Sequence, residues 1–201
     1  MEKKVHHKSA PTQKKIKMLP KLCAFVPLWL NPVLILTLIS CTENHETVRA
    51  VNLFDSEKYF SEEASRLSSV KSVKKISTYN STSETKEITI TNWTKELEPF
   101  IQCNINKPSF RNSYRIDSIT NASGKQITYS VSEPQLTIKK VEVNTLGEKI
   151  IRIRFVTGNS NNLYSTSRTL VYIPDSGYAI SGQQRISMGK QTNYSIQVRW
   201  K

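Results

Sequence analysis

From residue 113 to the C-terminus, apolar and polar positions alternate with a period of two, and the alternating stretches are cut by turn residues. The stretches read "SYRIDSI", "QITYSVS", "QLTIKKVEV", "KIIRIRFV", "LYSTSRTLVYI", "YAISGQQRIS" and "YSIQVRW". Between them stand "NASGK", "NTLGEK", "GNSNN", "PDSG" and "MGKQTN", rich in Gly, Asn, Asp and Ser. β-Branched and aromatic residues between such turns predict strands, and short turns predict antiparallel neighbours. In "KIIRIRFV", Ile151, Ile153 and Phe155 point one way and Arg152 and Arg154 the other, so the sheet has a dry and a wet face. Leu136 and Ile138 are out of phase with Val141 and Val143, which a β-bulge at Lys139-Lys140 reconciles. An earlier hairpin pairs the Val73/Ile76 stretch with the Ile88/Ile90 stretch around "NSTSE".

Two segments follow helical spacing instead. Phe60, Ala64 and Leu67 share a face in a helix from Asp55 to about Val70, with Asp55 as N-cap and Glu57 in the first turn. Trp93, Leu97 and Phe100 define a shorter helix capped by Asn92 or Thr94, which Pro99 ends or kinks. The expected fold is α+β: a twisted antiparallel meander of about eight or nine strands, with two helices packed on one face.

The N-terminal region breaks this pattern. Lys14, Lys15, Lys17 and Lys21 precede an uncharged stretch from Leu22 to Ile39, followed by "LISC" and the polar "TENHE". A membrane span needs about 20 apolar residues, so length leaves a signal anchor open. Pro27, Asn31 and Pro32 argue against an unbroken span. Residues 1–40 carry seven of the 29 basic residues and one of the 16 acidic ones, so about half of the +13 charge belongs to this segment. The +7 of the remainder favours anionic surfaces or ligands and gives no nucleic-acid-binding tail.

"LISC", with leucine three positions before the cysteine and a small residue just before it, resembles the lipobox of bacterial lipoproteins. The resemblance implies cleavage before Cys41, acylation of its thiol and a lipid anchor of several chains, which holds where a single chain would not. It divides the chain into a signal peptide (1–40), a lipidated tether (41–51) and one domain (52–201), with Met1 or Met18 as the start. By analogy the protein belongs to the outer membrane, on either its periplasmic or its surface side. "INKPS", "NLYS" and "GYAISGQQ" further resemble a family of small, uncharacterised Bacteroidota lipoproteins over residues 50–198. That family has no established activity to carry over, and Pro99 and Cys103 depart from its pattern. Asp117-Ser118-Ile119 resembles the short O-glycosylation signal of exported Bacteroidota proteins, on three residues alone.

The chemistry points to binding rather than catalysis. His45 is the one histidine after the leader, which disfavours histidine-centred metal sites and Ser–His–Asp triads. With Cys41 acylated, Cys103 is the one remaining thiol and is expected to be buried. No phosphate loop is present and no cofactor is implied. Glu62, Glu63, Glu96 and Glu98 leave a glycan-acting hydrolase as a formal alternative. The expected function is a non-catalytic, membrane-anchored envelope protein of ligand-binding or carrier type. An alternative is a structural or assembly subunit of an outer-membrane complex. Candidate contacts with an anionic ligand or an envelope protein are Trp93, Lys139, Lys140, Arg152 and Arg154.

Overall fold

The chain enters its first regular element through a side-chain cap: the Asp55 carboxylate accepts the Lys58 N–H at 3.0 Å and starts α1 (Ser56–Arg66). In this computed structural model the described residues are 52–110, 112–133 and 135–200. The leader, Cys41, the tether and His45 lie outside them. The described residues lie in one compact unit. No described helix is long and apolar enough to cross a membrane.

A 3-10 turn at 67–69 ends α1, and the chain then forms the hairpin β1 (Ser72–Tyr79) and β2 (Thr82–Thr89). The hairpin turn is two residues, Asn80 and Ser81, tighter than "NSTSE" suggests, and Asn80 adopts a positive φ of 51°. Asn92 caps α2 (Trp93–Glu96) by accepting the Lys95 N–H at 2.9 Å. Pro99 offers no N–H to the Lys95 carbonyl, so the helix breaks at Leu97 and restarts as α3 (Glu98–Ile101). Seven strands follow as a meander: β3 (Tyr114–Asn121), β4 (Gly124–Val131), β5 (Ile138–Leu146), β6 (Lys149–Ser160), β7 (Tyr164–Ile173), β8 (Gly177–Ile186) and β9 (Thr192–Arg199).

All nine strands form one open antiparallel sheet in the order β2-β1-β9-β8-β7-β6-β5-β4-β3. The first hairpin thus joins the last strand. Asn80 fastens this join, donating its N–H to the Asn193 carbonyl at 2.8 Å and accepting the Asn193 N–H at 3.0 Å. Residues 90–113 cross the dry face to deliver β3 to the opposite edge. The crossing buries Trp93, Leu97, Phe100, Cys103 and Ile105 against the sheet, which is the physical reason for a long connection there. The two edges carry charge: Glu84 and Lys86 pair on β2 at 2.7 Å, and Arg115 and Asp117 on β3 at 3.1 Å.

The register breaks between Ile138 and Lys140, where the sequence places a bulge, and again between Asn144 and Thr145. The second break corrects one expectation. Ile151 is the unpaired residue there and faces solvent, while Ile150 packs on the core in its place.

The dry face and the helices enclose a ring-filled core. Phe60, Phe100, Phe155 and Tyr172 are fully buried, with Phe60 at 5.0 Å from both Phe100 and Tyr172, and Phe155 at 6.1 Å from Phe60. At the β7–β8 turn, Gly177 has φ +146°, and a Cβ there would stand 2.0 Å from the Val198 carbonyl oxygen, so only glycine fits.

Candidate functional site

The residues on the sheet face that no described helix covers follow from the register. On β6 this face presents Arg152, Arg154, Val156, Gly158 and Ser160; on β7, Ser165, Ser167 and Thr169; on β8, Ser181, Gln183 and Arg185; on β9, Asn193, Ser195 and Gln197. Two neighbouring cross-strand rows carry no apolar side chain. Gly158, Ser167, Gln183 and Asn193 form one; Ser160, Ser165 and Arg185 form the next. The alternating serines and threonines of "YSTSRT" supply this face because β residues two apart point the same way.

These rows floor a groove of about 560 Å3, lined by the side chains of Lys139, Ser165, Ser167, Gln183, Arg185 and Gln191 among others. Among the described residues no carboxylate lines it. Gln191, in the β8–β9 turn, organises one wall: it accepts from Arg185 Nη2 at 2.8 Å and donates to Gln183 Oε1 at 2.9 Å and Asn193 Oδ1 at 3.1 Å. A guanidinium has five N–H groups, so this bond holds Arg185 in place and leaves it donors for a ligand. The bulge brings Lys139 to the opposite wall. Its Cε lies 3.8 Å from where a Cβ on Gly158 would stand, so the missing side chain makes room for the lysine stem. Such a volume suits a small polar molecule, and the lining offers hydroxyls, amides and the Arg185 guanidinium.

The sequence-predicted contacts separate on the structure. Lys139 belongs to the groove. Lys140 and Arg154 do not act as open cations: both engage Glu142 on β5, at 2.6 and 3.2 Å. Burial pushes the Glu142 carboxyl up, but its hydrogen bonds to Lys140 and Arg154, with their charges, outweigh that and hold it below the usual carboxylate range. Arg152 is exposed on the same face, opposite Asn144. Trp93, expected as a possible ligand contact, packs in the core. It is 4% exposed, meets Trp200 edge-on at 5.5 Å and donates its indole N–H to the Val70 carbonyl at 2.9 Å, so it offers no open ring face. Cys41 lies outside the described residues.

Arg185, Gln183 and Gln191 were not among the predicted contacts. Period two alone places Gln183 and Arg185 on one face, but their company with Lys139 depends on which strands neighbour which. The helix carboxylates are engaged separately. Glu63 accepts from Arg66 at 2.9 and 2.7 Å and from the Tyr172 hydroxyl at 2.5 Å. Glu96 accepts from Lys75 at 3.0 Å and from the Tyr178 hydroxyl. Burial, then the hydrogen bond to a carboxylate, pushes both phenols well above the usual tyrosine range. The Cys103 thiol is 5% exposed and donates to the Pro99 carbonyl at 3.3 Å. Burial, partly offset by the Arg168 charge, pushes it up to about 11. No group of three or more His, Cys, Asp or Glu side chains able to hold a metal ion occurs among the described residues.

Comparison of the chain with protein-family models, curated proteins and solved structures finds no match.

Proposed function

We propose that this protein is a cell-envelope lipoprotein, held on the outer membrane through an acylated Cys41, whose open sheet face binds a polar, anionic ligand. It acts by binding, with no catalytic step assigned to it. The observation that carries the reading is the groove on β6–β9, in which the Arg185 guanidinium stands among hydroxyl and amide side chains, with no carboxylate among the described lining residues. Such a lining pairs a cation with an anionic group and hydrogen-bonds the polar remainder of a molecule, an acidic saccharide being the class that fits. An apolar cargo between helices and sheet finds less support, because fully buried rings fill the layer around Phe60.

Titration calorimetry of the mature chain, with Cys41→Ala to remove the acylation site, tests the groove. The probes are sulfated and carboxylated oligosaccharides, with inorganic phosphate and neutral dextran as controls. Binding of the acidic saccharides, weakened about tenfold or more by Arg185→Glu, is expected, as for a hydrogen-bonded charge pair. No binding, or equal binding by the variant, removes the proposal. Mass spectrometry of the wild-type N-terminus tests the anchor independently: an unprocessed, unmodified Cys41 removes that part alone.

A second reading draws on the same face beyond the groove. Arg152 adds an exposed cation to it, a surface that an acidic envelope partner in an assembly would meet. Pull-down from envelope extract against a charge-matched control distinguishes this assembly role from a small-ligand role.

A further inference from the structure

The β6–β7 and β8–β9 turns stand side by side at one end of the sheet. Tyr164 pairs with Ile186 across the strands, and the Ser187 N–H donates to the Leu163 carbonyl at 2.8 Å. The apolar side chains here face water: Met188 is 100% exposed, Leu163 72%, Ile186 54% and Tyr164 38%. They make up four of the ten large exposed hydrophobic residues among the described ones, gathered in two turns, whereas single exposed apolar residues need no explanation. The same two segments, 159–166 and 184–193, contain Arg185 and Lys190 and no Asp or Glu.

We infer that these paired turns are a membrane-contact surface: Leu163 and Met188 enter the head-group boundary of a bilayer, while Lys190 and Arg185 meet anionic lipid phosphates. Apolar side chains rimmed by cations gain from both parts of such a surface, by burial and by charge. Under the acylation reading of the preceding subsection, the chain from Cys41 to Asn52 is eleven residues and spans at most about 40 Å. A ten-residue strand is itself roughly 33 Å long. The domain is therefore held within about its own length of the lipid, where even a weak contact is populated through high effective concentration. The contact itself needs no acyl chain, so it can be measured without one.

The mature chain carrying Cys41→Ala is mixed with vesicles rich in phosphatidylglycerol and, separately, with pure phosphatidylcholine vesicles, and co-sedimentation is read. The expected result is partition onto the anionic vesicles, weakened about tenfold or more by the double variant Leu163→Asp, Met188→Asp, because charges replace inserted apolar groups. Lys190→Gln weakens it less and flattens its salt dependence. An environment-sensitive fluorophore on Met188→Cys shifts to the blue with anionic vesicles; Cys103, being buried, stays unlabelled. Both exposed sites leave the melting temperature unchanged, so lost partition is not lost fold. Absence of wild-type partition overturns the inference, as does equal partition by the double variant. A wild-type dimer dissolved by that variant overturns it too, because a second copy then covers the turns. An unmodified Cys41 removes the anchor and leaves the vesicle result standing.

Discussion

The phenol of Tyr172 on β7 donates to the Glu63 carboxylate on α1 at 2.5 Å, joining residues 109 positions apart. Arg66, itself half-exposed, holds the same carboxylate and also donates to the Pro174 carbonyl at 2.7 Å, so one network fixes α1 against the β7–β8 corner. A hydrogen bond to a charged acceptor contributes more than a neutral one, about 1.5–3 kcal/mol. Tyr172→Phe should therefore lower unfolding free energy by that order in urea titration. A change below about 0.5 kcal/mol, within the range of an ordinary surface substitution, would show that the network contributes little.

The same phenols set an alkaline limit. Tyr172 and Tyr178 have folded pKa values raised above 10.0, chiefly by burial, and Tyr114 is pushed up to about 12. Above pH 10 the unfolded chain releases protons that the folded one keeps, so stability falls with rising pH at about 1.4 kcal/mol per unit for each such group. This stability is complete below pH 10 and is lost as pH climbs toward the folded values. Denaturation between pH 9 and 12, compared with Tyr172→Phe and Tyr178→Phe, checks it: each variant should be less stable at pH 9 and fall less steeply.

At the acid end, Glu142 is the group to follow. Its folded pKa is lowered from 4.5, so its contribution is present above that value and disappears as pH falls through the folded one. Because Lys140 and Arg154 are partly open to water, Glu142→Gln should cost about 1 kcal/mol or less at pH 7, and less at pH 2. Unfolding free energies at the two pH values measure the difference.

Gly177 offers a test of backbone crowding. With φ +146° and the Val198 carbonyl where a Cβ would stand, Gly177→Ala forces β8 away from β9. A cost of at least about 2–3 kcal/mol is expected, well beyond ordinary surface substitutions, and melting by circular dichroism reads it.

Cys103 should be chemically quiet. In a chain of residues 41–201 carrying Cys41→Ala it is the sole thiol, 5% exposed and pushed up to about 11, so little thiolate exists at pH 8. Reaction with Ellman's reagent should be slow in the native protein and fast in urea; fast native reaction would contradict the packing against Pro99.

Much of this architecture is local and was legible in the chain. Side chains two apart share a strand face, so period two separated Ile153 and Phe155 from Arg152 and Arg154 before any fold was known. Asp55 and Asn92 announced their helix starts because capping is an interaction over three residues, and Pro99 announced its break through its missing N–H. The phase change around Lys139 named the bulge for the same reason.

What the sequence left undetermined depends on neighbours far along the chain. Pairing of β1 with β9 is set by burial of the 90–113 crossing, a long-range choice that no window of residues contains. Strand register and ladder order in turn decide which equally basic side chains are occupied. Lys140 and Arg154 meet Glu142 across β5 and β6, Trp93 disappears against Trp200, and Arg185 comes to share a groove with Lys139. Alternation tells which way a side chain points; only the tertiary structure decides what stands opposite it, because charge and packing act through space rather than along the chain.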